Sequence, residues 1–282
     1  MKDITSERPV HHNSQRSGCK SGVFRNQRRH KDEPISDSSR TRMADEKPSP
    51  EHLQETTILD YEHPALHKLI KQRQWRDLSV FERIGSIYAF VRDEIEFGYN
   101  SRDDLPASQV LSDGYGQCNT KGTLLMALLR GAGIPCRFHG FTIKKDLQKG
   151  AIAGLWYRLA PEEIIHSWVE VWMERWINLE GFIIDSNFLS AIQNRFVDSS
   201  GPFCGFGIAT EDLQNPAIEW KGDDTYIQKE GIHRDFGVYA NPDQFYEAHG
   251  SNLSGFKKLL FAQWIRHRIN ANVQRIRRSD PQ

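Results

Sequence analysis

Gly114-Tyr115-Gly116-Gln117-Cys118-Asn119-Thr120-Lys121-Gly122-Thr123-Leu124-Leu125-Met126-Ala127-Leu128-Leu129-Arg130 is the segment around which the remaining chain can be read. Two glycines, Gly114 and Gly116, loosen the backbone ahead of a cysteine, because they permit conformations that other residues resist. From Leu124 the apolar residues recur at helical spacing, at Leu124, Leu125, Leu128 and Leu129. Gly131 and Gly133, followed by Pro135, predict where that helix stops. Cys118 is thereby delivered to a helix N-terminus, where unpaired N–H groups and the helix dipole favour negative charge on sulfur. A nucleophilic thiolate needs a base, and the base needs a group to orient it.

Both partners have candidates downstream. His166-Ser167-Trp168-Val169-Glu170-Val171-Trp172-Met173 is an alternating, β-branched and aromatic run, which predicts a strand. A second extended run, Trp176-Ile177-Asn178-Leu179-Glu180-Gly181-Phe182-Ile183-Ile184-Asp185, carries two carboxylates, Glu180 and Asp185. Cysteine on a helix, histidine on one strand and carboxylate on the next is the order nucleophile, base, orienter.

Three motifs in this order resemble the transglutaminase-like superfamily. They are Gly116-Gln117-Cys118 before the Leu124–Arg137 run, His166-Ser167-Trp168-Val169-Glu170-Val171, and Trp176-Ile177-Asn178-Leu179-Glu180. The resemblance covers roughly residues 80–190 and includes bacterial cysteine proteases and amidases. It implies an α+β, papain-like core, with the cysteine on the N-terminus of a central helix packed against an antiparallel sheet that carries the histidine and the acid. It carries the nucleophile to Cys118 and the base to His166. The family's third residue is usually an aspartate a few residues after the tryptophan of the following strand, and here that place holds Glu180.

The choice between Glu180 and Asp185 is one of parity, since neighbouring side chains on a strand point to opposite faces. A two-residue turn at Glu174-Arg175 would put odd-numbered residues of the second strand on the His166 face and favour Asp185. A turn one residue longer reverses this and puts Glu180 beside Trp168. Glu174-Arg175 lacks the Asn or Gly that two-residue turns want, so turn chemistry and family position both point to Glu180. Asp185 remains the alternative, and Gly181 is a candidate bulge. Glu170, on the same face as His166, reads as a carboxylate paired to an arginine.

The 282 residues suffice for one large domain or two small ones. With 37 basic and 37 acidic residues the net charge is zero, so no global field points to nucleic acid or membrane. Hydrophobic residues at 38% can build a core, while a mean hydropathy of −0.62 indicates much polar chain. Cys19, Cys118, Cys136 and Cys204 form no CxxC pair, which argues against a zinc site and a disulfide framework. No HExxH or paired His–carboxylate helix appears, so no metal and no cofactor is expected. There is no apolar run long enough for a membrane span and no secretory signal, and a cytoplasmic protein is the default reading.

Residues 1–54 are poor in large apolar residues and read as a disordered tail, with Met43 as an alternative start. Residues 55–282 read as the transglutaminase-like domain with a C-terminal extension. Pro64 to Trp75 predicts a first helix. Phe81, Ile84, Tyr88, Val91 and Ile95 predict a second, with Asp77 as its N-cap. Phe97 to Leu105 reads as a loop from which Tyr99 or Arg102 could reach the site. Cys136 to Ile143 is bounded like a strand, with Cys136 as a small buried residue and His139 as a rival base lacking the carboxylate context of His166. Lys144 to Ile164 reads as a loop at the cleft rim, from which Trp156 and Tyr157, together with Trp168, are candidate substrate contacts. Phe203-Cys204-Gly205-Phe206-Gly207 lacks phosphate-loop spacing and reads as a tight connection. Thr225-Tyr226-Ile227 suggests a short edge strand. Ser254 to Ile276 predicts a final helix whose basic end suits a helix C-terminus.

The expected chemistry is acyl transfer on an amide through a thioester, with Cys118, His166 and Glu180 as a triad. Gln117 or Tyr115, with the Cys118 backbone N–H, is the candidate oxyanion donor. The partners are a peptide or protein amide and, for transamidation, a primary amine. The alternative is an inactive fold of the same kind serving as a protein-binding scaffold.

Overall fold

The computed structural model describes residues 46–152, 154–252 and 261–278. Most of the expected tail lies outside these residues, but its last part does not. A 3₁₀ turn, Pro50–Leu53, presents His52 edge-on to Trp176, with 5.1 Å between ring centroids, and the Trp176 indole donates to the Glu46 carbonyl.

Helix α1, Pro64–Gln72, starts with proline at its first position, where a missing N–H costs nothing, and buries Leu66 and Ile70. Helix α2, Val80–Asp93, is capped by Ser79 and Glu82 in a reciprocal capping box rather than by Asp77, which lies in a preceding 3₁₀ turn. It buries Ile84, Ile87, Tyr88, Phe90 and Val91, whereas Phe81 sits outside the stripe, 45% exposed against Trp220. Strand β1, Glu96–Phe97, pairs in parallel with β2, Tyr115–Gly116, across α3, Ala107–Asp113. Gly114 ends α3 at φ 71°, the left-handed cap that glycine adopts without strain.

Helix α4, Cys118–Gly131, is the axis of the core, and every one of its residues is buried. Strand β3, Cys136–Lys144, leads through a short helix, α5, Gly154–Leu159, to β4, Glu163–Met173, and β5, Arg175–Leu179. Next come α6, Ser186–Arg195, the hairpin of β6, Phe203–Gly205, and β7, Ile208–Thr210, then β8, Ile232–Tyr239, and α7, Pro242–His249. A π turn, Phe261–Ile265, opens into α8, Arg266–Arg278, so the predicted final helix holds over its C-terminal part and residues 253–260 lie outside the described chain. The main sheet has the order β5-β4-β3-β8 and is antiparallel throughout. Strand β8, with arginine, histidine and aspartate at exposed positions, gives no period-2 signal in the sequence.

The β4–β5 register pairs Trp172 with Trp176 and Met173 with Arg175 around Glu174, which takes φ 65°. Only Glu174 is left between the paired residues, so the turn is tighter than either expected form, but the register has the parity of the longer one. The ladder ends at Val169 and Leu179, and Glu180, the next residue, reaches His166 with its carboxylate. The expected bulge at Gly181 is instead a close approach, for a Cβ there would lie 2.4 Å from the Tyr88 hydroxyl and 2.8 Å from the Ile218 Cα. Thr225 forms a single parallel bridge to Leu179 rather than a strand of its own.

Candidate active site

Cys118 opens α4 directly after the β2 strand, which the Gly114 turn lines up beside β1. Cys118 is 7% exposed and its thiol is free, as is that of the fully buried Cys136, whereas Cys204 is disulfide-bonded, contrary to what the cysteine spacing suggested. Gln117 is the helix cap, and its side chain is held from both ends: Oε1 accepts from the Asn100 amide at 2.9 Å and Nε2 donates to Asp103 at 3.1 Å. That leaves one N–H of the carboxamide uncommitted by these bonds.

His166 is fully buried on β4, and its Nε2 lies 2.7 Å from Glu180 Oε1. Glu180 is also fully buried, and its other oxygen accepts from the backbone amides of Ile227 and Gln228, each at 2.9 Å. The carboxylate is thereby fixed from behind while it faces the imidazole. Burial pulls the His166 pKa down, but negative charge on Cys118 and the Glu180 carboxylate outweigh it and push the value up to about 10. His166 Nδ1 forms no well-aligned hydrogen bond, and the Cys118 sulfur is the group that bears on it most strongly.

A hydrogen-bonded frame surrounds this contact. Asp103 is buried and accepts from Gln117 and Asn119 on one oxygen and from the backbone and side chain of Asn252 on the other. Asn119 donates to the Ile165 carbonyl and accepts from the Ser167 hydroxyl, while Asn252 accepts from the Ile165 amide at 2.6 Å. The residues on either side of His166 are thus tied to the first turn of α4. Sequence reading misses Asp103, Asn119 and Asn252. Asn252 lies 149 residues from Asp103, and nothing local marks either. Asn119, a polar residue beside Cys118 in an apolar helix, carried the one usable signal.

The remaining candidates go elsewhere. Asp185 caps α6 through the Phe188 amide, accepts from the Phe97 amide and binds Arg277 at 2.6 Å, and it has no contact with His166. The Tyr115 hydroxyl accepts from Arg266 at 2.9 Å, and Tyr115 is not among the residues lining the cavity beside Cys118. Tyr157 donates to Asp146 at 2.7 Å beside Lys145. Trp168 is buried among Phe141, His139 and Tyr226, away from the cavity next to Cys118. The Trp156 side chain lies outside the described residues. His139, the rival base, sits between Glu170 at 2.6 Å and Asp235 at 3.0 Å, and Arg137 closes on Glu170 at 2.6 Å. Glu170 is therefore the arginine-paired carboxylate that its parity suggested. Tyr99 and Arg102 do line the cavity beside Cys118.

Comparison with known proteins finds a likeness at the level of family. Residues 70–181 match the model of the transglutaminase-like superfamily. Two solved structures are similar over part of the chain. One is a candidate cysteine protease from Cytophaga hutchinsonii, with 13% identity, a TM-score of 0.39, and coverage of 68% of this chain and 47% of that one. The other is red sea bream transglutaminase, with 18% identity, a TM-score of 0.28, and coverage of 46% of this chain and 27% of that one. The chain thus spans about half the length of the first and about a quarter of the second. No curated protein matches the sequence.

Proposed function

We propose that the protein is a cysteine-dependent acyl-transfer enzyme acting on amide bonds, with Cys118 as nucleophile, His166 as base and acid, and Glu180 as the group that orients His166. The observation that supports this best is the fully buried imidazole, held by Glu180 at 2.7 Å on one nitrogen and left without an aligned partner on the other, facing Cys118. Glu180 fixes a proton on Nε2 and stabilises the imidazolium, so Nδ1 is the atom that exchanges a proton with sulfur.

The Cys118 thiolate attacks the amide carbonyl carbon. The oxygen of the tetrahedral adduct meets the Cys118 backbone N–H, free in the first helical turn, and the remaining Gln117 carboxamide N–H. The C–N bond breaks as nitrogen takes the proton from the His166 imidazolium, which leaves a thioester on sulfur. Water or a primary amine then adds to the thioester, gives its proton to His166 and releases the thiolate. Water gives a protease or amidase, and an amine gives a transglutaminase.

Iodoacetamide labelling at pH 6 tests the nucleophile. Cys136 is the internal control, since burial raises its thiol pKa and its sulfur lies against the Met126 carbonyl. Cys118 should be alkylated first, and His166→Ala should remove that lead. Equal rates at the two thiols would leave the fold without its proposed chemistry.

A further inference from the structure

Beside Cys118 lies a cavity of about 310 Å³. Its apolar wall includes Ile152, Ile164, Ile165, Phe261, Ile265 and Ile269. The charged groups that reach it, and the Gln148 carboxamide, are already engaged. Asp103 is occupied by Gln117, Asn119 and Asn252, Gln148 accepts from the Tyr99 hydroxyl, and Arg102 faces Asp104 at 3.6 Å. An anionic group entering here would shed its hydration beside the Asp103 carboxylate, and a cationic one would meet that carboxylate only where amide donors already occupy both of its oxygens. An apolar group would displace water from hydrocarbon, which is favourable in proportion to the area covered.

We infer that this cavity receives the acyl side of the substrate and selects an uncharged, apolar side chain or acyl tail. This rests on Cys118 being the nucleophile. The side follows from where the proton must go. The leaving amine is protonated by His166, so it departs on the His166 side, and His166 does not line the cavity. The acyl portion is left to extend the other way, past Gln117 into the hydrocarbon pocket. At roughly 30 Å³ per water, the space equals about ten waters, room for an aromatic or long aliphatic group. The selectivity is this chain's own: Phe261, Ile265 and Ile269 belong to the C-terminal segment, outside the matched residues 70–181.

The test uses the full chain and three peptidyl chloromethyl ketones that differ only in the residue next to the ketone: phenylalanine, aspartate or lysine. Modification of Cys118 is followed by intact mass, with iodoacetamide run in parallel. The phenylalanine reagent should react at least about tenfold faster than either charged reagent, a margin expected for an apolar pocket. Ile265→Asp should bring the ratio of phenylalanine to lysine reagent down at least tenfold. If that variant does not fold, Ile265→Trp, which fills the cavity with an apolar ring, should lower the same ratio. Rapid iodoacetamide labelling of Cys118 with equal rates for the three ketones, or a ratio unmoved by either Ile265 variant, overturns the pocket and leaves the nucleophile standing. Iodoacetamide labelling of Cys118 no faster than Cys136 overturns both.

Discussion

Replacing Glu180 by glutamine changes one atom and no volume, yet the surroundings leave the new amide no good orientation. One carboxylate oxygen faces His166 Nε2 at 2.7 Å, and the other accepts from two backbone amides at 2.9 Å. If the glutamine oxygen stays on the Ile227 and Gln228 amides, its NH₂ points at Nε2. The imidazole must then accept there and carry its proton on Nδ1, the atom that should take a proton from sulfur. If the amide is flipped, NH₂ confronts two N–H donors, and both are left unpaired in a site with no water access. Each buried donor without a partner costs about 1–3 kcal/mol, so the first orientation wins and the tautomer is wrong. In a serine protease the corresponding acid-to-amide change lowers turnover by about 10⁴ while the geometry stays intact. Glu180→Gln should therefore cut amide turnover by about 10³–10⁴-fold. It should also erase the lead of Cys118 over Cys136 in iodoacetamide labelling at pH 6. Glu180→Asp keeps the charge but falls one methylene short of either His166 or the two amides. It should retain more of the labelling lead than the glutamine variant.

The pH dependence gives a second readout of the same variant. The folded pKa of His166 is raised from 6.5 to about 10, so its ionic partnership contributes fully below pH 6.5 and is lost as pH climbs through 10. The stability gap between wild type and Glu180→Gln, from denaturant unfolding, should be widest below pH 6.5 and shrink towards pH 10. A Glu180→Gln protein that labels Cys118 within a factor of two of wild type at pH 6, with a flat stability gap, would refute the orienting role.

Three further outcomes follow from packing and charge. Arg277→Met should cost about 3–5 kcal/mol in denaturant unfolding, because it strands the buried Asp185 carboxylate that Arg277 holds at 2.6 Å. Asp185 has its pKa lowered in the fold despite burial, chiefly by Arg277, so its contribution stands above the unfolded value of 3.8 and fades as pH falls through the lower folded one; acid titration of the wild type should show this loss and that of Arg277→Met should not. Lys121 is fully buried, with its amine on the Arg92 carbonyl, and burial pushes its pKa down to about 7. Because the unfolded chain holds that proton up to 10.5, this lysine opposes folding most at pH 7 and below; Lys121→Met should gain on the order of 1–4 kcal/mol there and little above pH 10.5. Gly140→Ala would place a Cβ 2.2 Å from the Phe245 ring and should lose about 1–3 kcal/mol through overpacking, seen as a lower Tm.

Where local chemistry decides, the sequence is legible. The α4 segment announces itself by apolar spacing and glycine stops, and the resemblance around Cys118, His166 and Glu180 falls inside the matched residues 70–181. The carboxylate question turns on a single turn, and the absence of Asn or Gly at Glu174-Arg175 predicted the parity of the observed register. Asp185 carried a local signal as well: it stands just before Phe188, Leu189 and Ile192, the apolar face of α6, which is where a helix cap belongs. Legibility ends where contacts are long-range. Phe81 has the right spacing for the α2 stripe but falls at its first turn, beyond the reach of the core. Trp168 has the right parity for the His166 face but is packed by Phe141 and Tyr226 from distant parts of the chain.

The C-terminal helix is the main case of this kind, and its contacts give it a structural share in the site. Its basic end suggested no more than a favourable helix terminus. In the fold, Asn270 pairs with both backbone groups of Tyr99, as a neighbouring strand would, at 2.8 and 3.0 Å. Arg277 holds the Phe97 carbonyl at 2.9 Å, and Arg266 holds the Tyr115 hydroxyl at 2.9 Å. Phe97 and Tyr115 belong to β1 and β2, the two-residue pair that leads straight into Gln117 and Cys118. A ladder that short has little stability of its own, so bonds from outside it must fix its position. The first turn of α4, and with it the direction of the Cys118 sulfur, is therefore braced by residues more than 80 positions beyond the matched core. The same helix that walls the cavity also holds the strand pair presenting the thiol, which couples the geometry of the nucleophile to the shape of the pocket it would serve.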